Sequence, residues 1–286
     1  MKFTFLLGSG ARVVGLPNRR GDRQRAAAVA GFMAAIATIA PGWAQVQAQV
    51  QVQAQPAPQP ALLLAPLTTA GSVPPSPWRV VGVPKQAMPL TQFSVVETDG
   101  RRALRIEADK SYGNLVHPLN AQPVPAGARL GWQWRLDRLL PAADLRRKDG
   151  DDVAAKVCVF FDLPLAQIPF GERQLLRLAR AATADPLPGA TVCYVWDATL
   201  PVGTSMPNAY TARVRYLVLQ SGETPAGLWK QERRDIAADF VRLFGAESPR
   251  VPPIIGVAVG ADADNTGGRS VAHVAGLVLE SADQRP

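Results

Sequence analysis

From Arg129 to Asp137 large apolar side chains occupy every second position: Leu130, Trp132, Trp134 and Leu136 alternate with Gly131, Gln133 and Arg135. A period of two is that of a strand with one face buried and the other in water. Similar branched and aromatic runs recur at 93–108, 155–162, 191–197, 211–220, 229–236, 253–259 and 270–280. The first of these is split by Asp99-Gly100, a dipeptide that accepts the positive φ angles of a tight hairpin. Many short strands separated by turn residues, without regular helical crossovers, predict an all-β antiparallel β-sandwich. Two stretches follow the helical period instead. In 170–183, Leu175, Leu176, Leu178 and Ala179 lie among Arg173, Arg177 and Arg180, which predicts an apolar face on the domain and a basic face in water. In 235–245, Asp235 is placed to cap, Ile236, Phe240 and Phe244 recur every fourth residue, and Gly245 is placed as the stop. Both helices are expected to cover an open end or edge of the sandwich.

The N-terminal region follows different rules. Arg19, Arg20, Arg23 and Arg25 precede an apolar run, Ala26 to Ala40, that is short for a bilayer span, and Gly42-Trp43-Ala44 offers a signal-peptidase site. Residues 1–44 therefore read as a signal peptide, with an uncleaved anchor as the competing reading, and the mature chain is expected in the periplasm or secreted, with no transmembrane segment. Residues 45–77 carry no charge and are rich in Gln, Ala and Pro, which predicts a flexible tether. Its one apolar patch, "ALLLAPL" at 61–67, could dock on the domain that follows, expected over 78–283. The formal charge of +8 falls to +3 without residues 1–44, and the remaining arginines are scattered, so a nucleic-acid surface is not indicated. Cys158 and Cys193, the only cysteines, either pair in an oxidising compartment or stay as buried thiols. With two histidines they give no zinc spacing.

Residues 103–137 have a strand, polar segment, strand and Pro/Gly turn leading to an aromatic strand, and "VAHVAGLVLE" follows near the end. This order resembles galactose-binding-like jelly rolls, which implies a jelly-roll form of the sandwich. A second set of short motifs runs along most of 78–282: Trp132-Gln133-Trp134-Arg135, Gly150-Asp151-Asp152, Phe160-Phe161, Tyr194-Val195-Trp196, Asn208-Ala209-Tyr210-Thr211, Arg234-Asp235 with Asp239, Phe244-Gly245, and Asp262-Ala263-Asp264-Asn265-Thr266. The set is similar to the domain of unknown function 3047 family of exported bacterial proteins, with Ala209 in place of that family's usual proline. The resemblance implies one domain and no particular activity.

The polar motifs leave several readings open. Asp262, Asp264, Thr266 and Gly267 reproduce the first half of a calcium loop, but the closing glutamate position is His273 and no helices flank it. Calcium held by Asp262, Asp264 and Thr266, with Asp151 or Asp152 completing the shell, competes with Asx-type turns at Asp262 and Asn265. The carboxylates could instead serve a substrate. Asp151 and Asp152 precede a strand, so one is expected to face the cleft and the other to be solvated. Trp196, Tyr210 and Trp229 are candidates for stacking on a sugar, with Trp229 the ring expected to be exposed among charges. Asp197 and Asn208 complete the ligand-binding candidates. His117 and His273 are expected at the surface or in turns. The leading expectation is a non-catalytic module binding a carbohydrate or envelope glycan. The alternatives are a glycan hydrolase or lyase using the aspartates, and a purely structural envelope protein. Convergence of the aspartates on one groove would separate the first two from the third.

Overall fold

The computed structural model describes residues 64–83, 86–183, 187–223 and 227–280. The signal peptide expected at 1–44 and the tether as far as residue 63 lie outside them. The strands begin with β1 (Arg79–Val81), β2 (Gln92–Thr98), β3 (Arg101–Asp109), β4 (Tyr112–Gln122) and β5 (Arg129–Arg138). After β6 (Val153–Phe161) the helix α1 (Phe170–Ala181) intervenes before β7 (Ala190–Asp197), β8 (Ser205–Pro207) and β9 (Val214–Ser221). β10 (Lys230–Asp235) runs into α2 (Ile236–Phe244), followed by β11 (Ile254–Asp262) and β12 (Arg269–Glu280).

These strands form two sheets, ordered β1-β4-β11-β6-β7-β9-β8 and β10-β5-β12-β3-β2. The result is an antiparallel jelly-roll β-sandwich with two short helices. One named strand pair, β7 with β9, is parallel. The chain leaves β7, reverses into the edge strand β8, and returns as β9 between the two. The β2–β3 hairpin turns on Asp99 and Gly100, at φ 51° and 69°, the left-handed pair that matches the twist of the flanking strands.

Period-two alternation builds the core as expected. Leu130, Trp132, Trp134 and Leu136 of β5 point at Val157, Val159 and Phe161 of β6 and at Tyr194 and Trp196 of β7, all in one buried cluster. Trp132 packs on Tyr194 at 5.3 Å between ring centroids, and Trp134 on Trp196 at 5.6 Å. Burying each such side chain stabilises the fold by roughly 1.5–3 kcal/mol. Trp196, a stacking candidate from the sequence, is therefore a core residue; its indole N–H donates to the Gly222 carbonyl at 3.0 Å.

Three other expectations change. His117 and His273 are buried on strands. His117 Nε2 accepts from the Ala65 N–H at 3.0 Å, so Nδ1 carries the proton it donates to the Pro118 carbonyl at 2.9 Å. Residues 64–77, read as the end of a tether, touch the sandwich: Leu67 is buried in the core and the Ala65 carbonyl accepts from Trp78 Nε1 at 2.9 Å. Helix α1 is amphipathic, but most of its apolar stripe is exposed. Leu176 is its one buried residue, while Phe170, Leu175 and Leu178 are 60–70 % exposed. Glu172 and Arg180 take half-buried positions because they have partners there. Glu172 bonds Thr211 Oγ1 at 3.3 Å and pairs with Arg213 at 3.4 Å, and Arg180 donates to the Leu187 carbonyl at 2.7 Å.

Helix α2 follows its sequence pattern. Asp235 accepts from the Ala238 N–H at 2.9 Å, and Ile236, Phe240 and Phe244 are buried. The buried Asp239 accepts from Tyr194 Oη at 2.9 Å and pairs with Arg234 at 2.7 Å, which ties α2 to both sheets.

Candidate functional site

Alternation that sends Ala155, Val157, Val159 and Phe161 of β6 inward sends Lys156, Cys158 and Phe160 to the outer face of the seven-stranded sheet. Asn114, Val116 and Pro118 of β4 and Tyr216 and Val214 of β9 face the same way, and together they floor a groove of about 580 Å³. β11 runs between β4 and β6 with Gly256, Ala258 and Gly260 opposite those outward residues. The two glycines set the floor. A Cβ at Gly260 would lie 2.4 Å from Asn114 Oδ1 and 2.8 Å from the Gly113 carbonyl, and one at Gly256 would lie 3.1 Å from the Phe160 ring. Asn114 and Phe160 thus lie across bare backbone. Gly260→Ala is expected to displace Asn114 and cost about 1–3 kcal/mol, the cost of overpacking, read as a lower urea midpoint; an unchanged midpoint would contradict this packing.

Cys158 and Cys193 are directly opposed on β6 and β7, with Cα atoms 4.1 Å apart, and form a disulfide in the floor. At one end of the groove polar side chains gather. Asp262 accepts from the Val153 N–H and from Lys156 Nζ, each at 3.0 Å, and both side chains of this ion pair are almost wholly buried. Burial raises the Asp262 pKa to about 6 against the opposing pull of Lys156. Burial, the largest single influence on Lys156, would lower its pKa, but Asp262, Tyr112 and Asp151 together outweigh it and the net shift is upward. At neutral pH the pair is charged.

Asp151 accepts from Tyr216 Oη at 3.1 Å and from Asn208 Nδ2. Burial raises its pKa, opposed first by the Asn208 hydrogen bond. One of Asp151 and Asp152 is expected to be solvated, but both are buried; Asp152 does not line the groove. It receives the Asn265 and Thr266 N–H groups at 3.1 and 2.7 Å, and Thr266 Oγ1 at 2.5 Å. A turn 113 residues away supplies the donors that water would otherwise have supplied. Tyr210 Oη bonds Asn265 Oδ1 at 2.9 Å and closes the rim. Asp264 Oδ1 is buried without a hydrogen-bond partner, and burial followed by the Asp152 charge raises the Asp264 pKa.

So Asp151, Asp152, Asn208, Tyr210, Asp262, Asp264 and Asn265 come together, as convergence at a rim required. Asp197 does not join them: its Oδ1 accepts from the Thr199 and Leu200 N–H groups at 2.7 and 2.5 Å and holds a turn. Trp229 is not in the groove either. Its Nε1 donates to Asp99 at 2.9 Å beside the β2–β3 hairpin, and the Arg101 guanidinium lies 4.8 Å above its ring. The residues do not fit the calcium ion that the acidic turn could have held. Both oxygens of Asp262 are occupied, with Lys156 supplying the positive charge, and Thr266 Oγ1 donates to Asp152. Among the described residues no group of three His, Cys, Asp or Glu is arranged for a metal. The Asx-turn reading of Asp262 also fails, since its bonds cross to β6.

Sequence reasoning missed Tyr112, Asn114, Lys156, Phe160 and Tyr216 as groove residues. A signal existed for one of them: Lys156 is the single charge within the apolar run 153–161. A lysine there must find an anion or leave the strand.

Residues 76–278 match the family described as protein of unknown function (DUF3047). The chain belongs to this family. No curated protein matches it. Among solved structures, the DUF3047 chain is similar to Trichoderma harzianum endoglucanase 3 from family GH12, with 8% identity, 72% of this chain and 98% of that chain covered, and a TM-score of 0.37. The Bacillus licheniformis family 12 xyloglucanase gives 9% identity, coverage of 70% and 88%, and a TM-score of 0.37. Likeness of this degree says nothing of activity.

Proposed function

We propose that this DUF3047 domain is an exported binding module whose groove takes a carbohydrate or envelope glycan and holds it without turnover. One observation carries the reading: the rim carboxylates, amides and tyrosine hydroxyl converge at one end of the 580 Å³ groove. Sugar hydroxyls both donate and accept, and such a cluster offers them both kinds of partner. Asp152 and Asp262 are committed to protein donors, which supports binding over catalysis. The disulfide supports an oxidising compartment.

A hydrolase or lyase is the second reading, favoured by the raised pKa values of Asp151 and Asp264, the condition for a carboxyl that donates a proton. The deciding experiment is a glycan array followed by calorimetry on the best hit, with Tyr210→Ala and Asp151→Asn beside the wild type. Each substitution is expected to weaken binding by about tenfold, the effect of losing one hydrogen bond to a charged or rim group. Release of reducing ends from the bound polymer would replace binding by hydrolysis. Equal affinity in both variants would move the site elsewhere.

A further inference from the structure

The groove is polar mostly at one end, and the gradient runs along β11. Asp262 is paired with Tyr112; two residues on, Gly260 is flanked by Asn114 and Lys156. At Ala258 the neighbours are Val116 and Cys158, and at Gly256 they are Pro118 and Phe160. Each two-residue step advances about 6–7 Å. The polar half is therefore followed by an apolar trough of at least about 10 Å. Ile255, Val214, Leu187 and Pro188 also line the groove, with Arg79 and Thr191 as polar exceptions. A sugar filling the whole groove would set hydroxyls against these carbons and strip them of water without replacement bonds. Helix α1, with its exposed Phe170, Leu175 and Leu178, is bonded to two lining residues, Leu187 and Thr211.

We infer that the ligand is an amphiphile, a glycan headgroup carrying an aliphatic chain, with the headgroup at Asp151, Asn208, Tyr210 and Asn265 and the chain along Val116, the disulfide and Phe160. This rests on the binding reading above and names its ligand class. The test is calorimetry of the wild-type chain with methyl, butyl, hexyl and octyl glycosides of glucose, galactose and N-acetylglucosamine below their micelle concentrations, with octanol as the headless control. Affinity is expected to rise about threefold to fourfold per methylene, with octanol far weaker than the octyl glycoside. Phe160→Ser is expected to flatten that slope, lowering the octyl-to-methyl affinity ratio. Equal binding of methyl and octyl glycosides overturns the amphiphile and leaves the glycan reading standing. Octanol matching octyl glycoside overturns both the headgroup contacts and the amphiphile. No binding by any member of the series overturns the amphiphile, whereas array binding of an unalkylated glycan would still stand apart from it.

Discussion

Replacing Lys156 by methionine should lower stability by about 3–5 kcal/mol at pH 8, the cost of leaving one member of a buried ion pair without the other. The side chain is surrounded by β11, β4 and the 151–152 turn: Asp262 at 3.0 Å, the Tyr112 ring at 5.0 Å, and the charge of Asp151. With the ammonium gone, Asp262 keeps the Val153 N–H but loses its counter-charge. The loss should shrink as pH falls. In the folded protein Asp262 titrates near 6, against 3.8 for an ordinary aspartate. A carboxyl raised on folding contributes stability that is complete below about 3.8 and lost as pH rises through about 6. Below about 6 Asp262 is mostly protonated and Lys156 has little charge to answer. Urea melts at pH 5 and pH 8 read the difference, and the double variant Lys156→Met/Asp262→Asn should recover most of the loss at pH 8. A single-variant loss below about 1 kcal/mol at pH 8, the range of an exposed pair, would show the pair to be solvated.

Breaking the disulfide should have the next largest effect. Cys158 and Cys193 are 35 residues apart, and closing a loop of that length constrains the unfolded chain by roughly 3–4 kcal/mol. The double variant Cys158→Ala/Cys193→Ala should lose that amount in the urea midpoint. Both cysteines line the groove floor yet are nearly buried, so reductant should act on the wild type slowly until denaturant opens the sheet. Counting thiols in denaturant without reductant is the direct check: none is expected, and two per chain would remove the cross-link. The same bond forms part of the groove floor between Val116 and Tyr216, so its loss should loosen ligand contacts as well as the fold.

What the sequence determined by itself was governed by local periodicity. Trp132 and Trp134 had to share a face because neighbours on a strand point apart, and Asp99-Gly100 had to turn because few other dipeptides tolerate two positive φ angles. Asp235 likewise marked the start of α2 as soon as the four-residue spacing of Ile236, Phe240 and Phe244 was seen. Tertiary structure decided which partner each polar group found. Helix α1 had a legible apolar stripe, yet its direction depended on Arg213 and the Leu187 carbonyl, which capture Glu172 and Arg180. Of two candidate stacking rings, Trp196 fills the core and Trp229 lies under Arg101. The acidic turns could be expected to meet, but not that Lys156 would neutralise Asp262 or that Asn265 and Thr266 would enclose Asp152. A side chain's face is fixed by its own backbone, whereas its hydrogen-bond and charge partners come from strands distant in sequence, and those are set only when the sheets close.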